Sequence, residues 1–443
     1  MMSYEQRQQH LAQALRNNAG RDIRLSKQTS NLFRNRSTQD QLLDVREFNH
    51  VLAIDPDTRV IETEGMVTYE ALADTALAYG LMPAVVPQLK SITIGGAVGG
   101  IGIESSSFRY GLPHETVLEM DVLLGTGEVI CCTPNNEHRD LFFGLANSYG
   151  TLGYILRLKI QGIPVKPYVR VTHVHCADSQ EFFDRVNEAC QGSFDFVDGV
   201  VFAPGEYYLV LGEFTDDAPY TSDYSYLQIF YRSIRARSED YLSVRDYLWR
   251  WDTDWFWCSK NLYAQNRLIR RLLGRKRLNS ITYQKVMRWN SRVGLTRRLG
   301  TLSRRHREAV IQDVDIPLEN APAFLSFFQR EIGIRPIWIC PARHDGRRGH
   351  YPLFPMRDDT LYINFGFWDA VRTDPMHPQG HFNRMIEEKV TDLGGIKSLY
   401  SESFYPQKEF WELYGGNTCR LLKDRYDPGH ALKDLYQKCV LRQ

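Results

Sequence analysis

The sequence predicts an α+β protein of two domains, and three observations carry that expectation. A length of 443 residues exceeds what one hydrophobic core usually organises, so two domains, or one large and one inserted, are expected. Strand-like segments on both sides of a glycine-rich run at 87–107 mark a first unit. From residue 310 a strand, a helix and a further strand restore a regular α+β pattern after an irregular middle.

Taken in order, residues 3–17 read as a polar amphipathic helix, and 22–25 as a first strand followed by a polar loop at 27–33. Residues 51–64 form a strand pair turned at Asp55-Pro56-Asp57-Thr58, and 69–79 have helical spacing that Gly80 ends. Residues 117–130 read as strand, Gly-Thr-Gly hairpin and strand. A glycine-bounded turn at 146–153 leads into an alternating apolar strand at 154–160. The second unit opens with a strand at 169–174, then a helix at 179–190 and strands near 195–202 and 207–214. A strand at 310–317, a helix at 319–333 and a strand at 361–367 follow.

The glycine run carries the chemistry. Five glycines fall in the eight residues Gly95 to Gly102, followed by Ser105, Ser106 and Ser107. Glycine weakens regular structure and suits positive φ or close approach to a ligand, so neither a packed helix nor a strand is expected here. Unencumbered N–H groups beside hydroxyls suit a diphosphate. The dinucleotide fingerprint G-x-G-x-x-G does not fit, because Ser105 stands where its third glycine belongs, and no G-x-x-x-x-G-K-[ST] occurs.

Other features bound the function. A net charge of +1 gives no general case for nucleic acid. The eight cysteines show no C-x-x-C pair and no metal spacing, which predicts reduced thiols, a cytoplasmic setting and no metal. No signal peptide is visible, and no segment approaches the roughly 20 apolar residues that span a bilayer. His344 and His350, among arginines, read as a solvated loop, and His173 and His175 as a shared face of a surface strand.

Residues 232–307 are chemically unusual, with 20 Lys and Arg against five acidic residues. Among them stand Tyr247, Trp249, Trp251, Trp255, Phe256, Trp257, Leu268, Ile269, Leu272 and Leu273. Two readings are equally weighted: a surface lying in a membrane interface, or a core of aromatics under water-facing arginines. Nucleic-acid binding is weaker, because no recognised motif supports it.

The ordered motifs Thr93-Ile94-Gly95-Gly96, Gly102-Ile103-Glu104-Ser105-Ser106-Ser107, Tyr110-Gly111-Leu112 and Gly150-Thr151-Leu152-Gly153 resemble the vanillyl-alcohol-oxidase-type (PCMH-type) FAD-binding domain. With Val310-Ile311-Gln312-Asp313, Pro336-Ile337-Trp338-Ile339-Cys340-Pro341, Leu361-Tyr362-Ile363 and Glu409-Phe410-Trp411-Glu412, the chain resembles the delta-24-sterol reductase (24-dehydrocholesterol reductase, diminuto/dwarf) family. The likeness runs over nearly the whole chain. One departure stands out: eukaryotic members carry an N-terminal membrane segment and a fuller first nucleotide loop, and this sequence starts within that region.

The resemblance implies an FAD-binding domain at 1–165 and a cap or substrate domain at 166–400, with the basic, aromatic-rich insertion at about 232–307. A C-terminal segment, 401–443, would return to the FAD domain. It implies cofactor contacts from Lys27, Ser30, Thr93, Gly95, Gly96, Gly99, Gly100, Gly102, Ile103, Glu104, Ser105, Ser106, Gly111, Gly150, Thr151 and Gly153. FAD should be held non-covalently, since 24–36 contain no histidine and 82–95 no cysteine. The implied reaction is reduction of an isolated C=C bond in a sterol or isoprenoid-like lipid, with NADPH as electron donor. Such a bond is poorly electrophilic and needs a well-placed acid; Asp313 and Tyr362 are the candidates, with Glu104 a weaker one. A satisfied buried carboxylate is as good a reading of Asp313. One rival is an FAD-dependent oxidase or dehydrogenase of an alcohol on a sugar, alditol or lipid-linked sugar. The other is a non-catalytic, membrane-associated protein that keeps the flavin fold.

Overall fold

The computed structural model describes residues 2–16, 23–27, 41–293, 307–344, 346, 349–372 and 377–442. Strands β1 (Ile23–Ser26) and β2 (Gln41–Asp44) form a short parallel pair. The first large sheet contains β3 (Val51–Asp55), β4 (Val60–Glu64), β5 (Leu81–Pro83), β6 (Val117–Leu123), β7 (Val129–Cys132) and β8 (Tyr154–Pro164). Its order is β3-β4-β8-β6-β7, with β5 paired to the far end of β8. β8 buries Leu156, Leu158 and Ile160 and turns Arg157, Lys159 and Gln161 outward, as its alternation requires. Arg157 ties the sheet across its strands, bonding Glu119 (2.6 Å) and Asp121 (2.7 Å) on β6 and Glu62 on β4.

The second sheet is antiparallel with eight strands. They are β9 (Tyr168–Cys176), β10 (Phe196–Ala203), β11 (Glu206–Thr215), β12 (Glu239–Ser243), β13 (Arg307–Pro317), β14 (Ile337–Arg343), β15 (Leu361–Arg372) and β16 (Ile396–Lys397). The order is β12-β9-β11-β10-β14-β15-β13-β16. Helices Ser179–Gln191, Ala321–Glu331 and His381–Asp392 cover one face. On β13, Val310, Val314 and Ile316 point into that core beside Phe324 and Phe328, so Arg307, Ala309, Ile311, Asp313 and Asp315 point the other way.

The glycine run departs from expectation: Ile94–Gly100 is a helix. Thr93 caps it, its hydroxyl accepting from Gly96 N at 3.3 Å. The glycines are there for approach, since a Cβ on Gly95 would lie 2.9 Å from the Gly65 carbonyl oxygen. The helix stops at Ile101, whose φ is +55°. Helix Tyr69–Leu77, capped by Thr68, agrees with the expected one and ends before Gly80 (φ +70°).

In the central region, Tyr247, Trp249, Trp251, Phe256 and Trp257 belong to the main core. Trp251 stacks on Phe256 at 5.0 Å and meets Phe230 edge-on. The reading of these five rings as interface residues is therefore corrected: most of the aromatic content is internal. Arg250 and Arg270 are also buried, the second paired with Asp254 at 2.8 Å. Helices Gln407–Leu413, Gly416–Tyr426 and Leu435–Cys439 pack near the first sheet, with Lys423 Nζ donating to the Thr151 carbonyl (3.1 Å) and Arg425 to Asp140 (2.8 Å). All eight cysteines are thiols, and no helix among the described residues is long and apolar enough to cross a membrane.

Candidate functional site

A cavity of about 1060 Å³ lies between the glycine helix and the uncovered face of the second sheet. That is at the upper end of the roughly 300–1,000 Å³ usual for ligand sites. Charged side chains stand on both sides. Lys27, Lys433 and Lys438 stand on the side of the glycine helix and the C-terminal segment, and Asp313, Asp315 and Asp369 on the side of the second sheet. On the sheet side Arg307 also lines the cavity and Lys260 pairs with Asp369 at 2.8 Å.

The side of the glycine helix suits a phosphorylated dinucleotide. Gly96 and Gly99 leave one strip of the short helix without side chains; a Cβ on Gly96 would meet Thr93 Oγ1 at 2.9 Å and stand 3.9 Å from Lys27 Nζ. Helix N–H groups beside an ammonium attract anions. Tyr149 braces the other end, its hydroxyl donating to the Gly100 carbonyl (2.7 Å) and its N–H to that of Gly99 (2.7 Å). Asn147, Tyr149 and Gly150 all take positive φ, which folds this turn against the helix. Lys438 Nζ in turn holds the Tyr149 carbonyl at 2.7 Å. Replacing Lys27 by alanine is expected to weaken FAD binding about tenfold, or roughly 1.4 kcal/mol, measured by flavin fluorescence on the apoprotein. Unchanged affinity would remove Lys27 from the site.

Of the residues singled out from sequence, Lys27, Thr93, Gly95, Gly96, Gly99, Gly100, Gly102, Ile103, Gly150, Gly153 and Asp313 line the cavity. Ser30 lies outside the described residues. Glu104, Ser105, Ser106, Gly111 and Thr151 lie behind the wall, outside the cavity lining. Glu104 accepts from Gln88 and Ser105 (both 2.8 Å) and from Arg250. The Ser106 hydroxyl donates to the Ala84 carbonyl and that of Thr151 to Ser148 (both 2.7 Å). Gly111 (φ +75°) makes room for Glu115, whose carboxyl a Cβ there would strike at 2.5 Å. Tyr362 is on the cavity-facing side of β15 but one step past Asn364, beyond the lining, where its hydroxyl accepts from Arg357 N at 3.1 Å.

The opposite wall is aromatic and acidic. Phe256 sits between Trp338 (5.2 Å) and Trp368 (4.6 Å). Asp313 is buried beside Tyr400, whose hydroxyl is hydrogen-bonded to it and accepts from Trp368 Nε1 at 2.9 Å. Burial pushes the Asp313 carboxyl up to about 7, with Asp315 adding repulsion and the Tyr400 hydrogen bond pulling down. Asp315 is likewise raised to about 7 by burial, against a 3.0 Å bond from Asn364. Asp313 Oδ1 has no hydrogen-bond partner among the described residues. It faces Gly366, where a Cβ would come within 2.7 Å. Sequence reasoning missed Asp315, though it shares a strand face with Asp313, and also Tyr400, Trp368 and Lys438, which arrive from distant segments.

Two histidine readings are corrected. His344 is buried against Glu115 (2.6 Å) rather than solvated, and His173 is buried, its Nδ1 donating to the Arg237 carbonyl at 2.8 Å, while His175 is exposed. Two clusters have metal-ligand chemistry, His344–His350–Asp358 and Glu119–Asp121–Cys131. In the second, Arg157 already occupies both carboxylates.

The glycine strip, the flanking lysines and the cavity suit a phosphorylated dinucleotide, and residues 5–133 match the family model described as "FAD binding domain", which makes the chain an FAD-binding protein. Beyond that module, the chain is similar along most of its length to delta(24)-sterol reductases. It is 26% identical to the human delta(24)-sterol reductase over 402 residues, covering 88% of this chain and 75% of that one. The delta(24)-sterol reductase homologue of Caenorhabditis elegans is 26% identical over 427 residues (90% and 78%). The Arabidopsis thaliana delta(24)-sterol reductase is 24% identical over 435 residues (89% and 76%).

Proposed function

We propose that this protein is an FAD-dependent oxidoreductase that reduces an isolated C=C bond, of the delta-24 type, in a sterol or isoprenoid-like lipid, with NADPH as electron donor. The observation that carries the reading is the pairing of an aromatic, apolar cavity wall with buried carboxyls poised near neutral pH, of which Asp313 is bonded to Tyr400 and keeps one oxygen without a partner among the described residues. Likeness to sterol reductases along nearly the full chain supports it. When bound and reduced by NADPH, the flavin would supply the hydride for such a reduction.

The protein's share is the proton and the substrate's position. Below about pH 7 Asp313 holds a proton that its carboxyl can donate to a substrate carbon, and Tyr400 orients that carboxyl. Trp338, Phe256 and Trp368 give an apolar chain a dry surface. NADPH and lipid would use the same cavity in turn. On this reading 1–165 hold the flavin, 166–400 cap it and 401–443 close the site from behind. The enzyme would work in the cytoplasm and reach its lipid at a membrane surface.

The test is an anaerobic NADPH titration of the purified yellow protein, followed in the visible flavin band, and then addition of a 24-unsaturated sterol. Bleaching by NADPH and recovery on adding sterol is the expected result. A flavin that NADPH leaves oxidised, and that an alcohol substrate bleaches, would favour the oxidase reading instead.

A further inference from the structure

With its aromatics largely internal, the central region still shows water a second set of apolar residues. Tyr263 is 77% exposed, Leu268 67%, Leu272 82% and Trp289 57%, and Val286 and Met287 are exposed as well. They lie on or next to two helices, Arg267–Leu273 and Ser280–Val293. Beneath these helices Ala264, Leu278 and Tyr283 form a small core with Tyr226, Trp255 and Leu273, so the segment is folded with Leu268 and Leu272 turned out. Leu268 and Leu272 are one turn apart and share a helix face. Such a concentration of exposed large apolar groups marks an interaction surface.

Charge says what it meets. Residues 255–307 contain fifteen Lys and Arg and no Asp or Glu. Arg267, Arg271, Arg275, Lys276, Arg277 and Lys285 are exposed between the apolar residues. Leucine and tryptophan interleaved with cations match an anionic lipid surface, where rings and aliphatic chains enter the headgroup layer and the cations meet phosphates. Position adds a second argument. Tyr263 and Met287, one from each side of the helix pair, also line the cavity, as does Lys260. The exposed patch is therefore continuous with the cavity mouth.

We propose that the surface formed by Tyr263, Leu268, Leu272, Val286, Met287 and Trp289 docks on anionic bilayers and seats the mouth of the cavity against the membrane. A lipid then passes from bilayer to cavity without crossing water. This last step rests on the lipid-reductase reading; the docking does not.

The experiment is flotation of the flavin-loaded full chain with phosphatidylcholine vesicles, with and without phosphatidylserine. Binding to the phosphatidylserine vesicles, weakened by salt, is expected. Leu268→Ser with Leu272→Ser should lower partitioning roughly tenfold or more, with melting temperature and flavin content unchanged. Leu421→Ser, at an exposed leucine in another helix, should leave flotation intact. Failure to float, or flotation indifferent to the double change, would overturn the surface even if sterol turnover were normal. Binding to RNA with no flotation would overturn it in favour of nucleic acid. Normal flotation without sterol reduction would overturn the substrate and leave the docking surface standing.

Discussion

Asp313→Asn should lower turnover by about 10²–10⁴-fold while FAD stays bound. Asparagine keeps the volume of the side chain and can donate an N–H, but it cannot transfer a proton. The wild-type group is suited to that transfer, because burial holds its pKa near 7. An acid must be protonated to act, so the rate should be flat at low pH and fall as pH rises through about 7. Tyr400→Phe provides the sign check. The Tyr400 hydrogen bond pulls the carboxyl down, so its removal should move that descending limb to higher pH, with little loss below it. A rate profile with no limb near neutrality in the wild type would exclude Asp313 as the donor. The same shift acts on stability. Asp313 and Asp315 are both raised above the unfolded value of 3.8. Their contribution is fully present below that value and is lost as pH rises through about 7, so stability should decline across this window.

The parts of this site that were legible in sequence are those whose signal is local. Asp313 was reached through the resemblance carried by Val310-Ile311-Gln312-Asp313, and the alternation of β13 turns it away from Val310, Val314 and Ile316. The same period placed Asp315 on that face, yet a carboxylate alone gave no reason to select it. Tyr400 and Lys438 were illegible because they reach the cavity only once the C-terminal segment has packed, and no local pattern encodes that return. The glycine run misled for a physical reason. Glycine's low helix propensity was outweighed by the Thr93 cap and by approach distances that only glycine permits, as at Gly95 against Gly65. The serines after it looked like ligand donors, but their hydroxyls are consumed by Glu104 and the Ala84 carbonyl. In the basic region, composition could not separate buried from exposed residues. Arg250 and Arg270 went inside with carboxylate partners, while Leu268 and Leu272 stayed outside.

Arg250→Met should destabilise the fold by about 3–5 kcal/mol, since removing one member of a buried ionic cluster strands the others. Arg250 Nη2 bonds Asp198 Oδ2 at 2.9 Å on β10 and Glu104 Oε1 at 3.1 Å just after the glycine helix. Its Nη1 donates to the Tyr247 carbonyl at 3.0 Å, and its guanidinium lies 4.0 Å from the centre of the Tyr247 ring. Trp338, on the cavity wall, donates Nε1 to the same Asp198 oxygen at 3.0 Å. One cation thus joins the loop behind the glycine helix to the sheet that caps it, away from water. Burial already pushes Asp198 up to about 6 despite Arg250. Without the arginine, Asp198 would lose the charge that opposes its burial and would favour the protonated form more strongly. The variant's melting temperature should therefore fall most at pH 7 to 8 and recover as pH drops toward 5, a slope the wild type should lack in that size. Adding Asp198→Asn and Glu104→Gln to Arg250→Met should restore much of the loss, because the stranded charges disappear. If the triple variant melts as low as the single one, the arginine's stem and ring contacts, rather than its charge, hold the two sheets together.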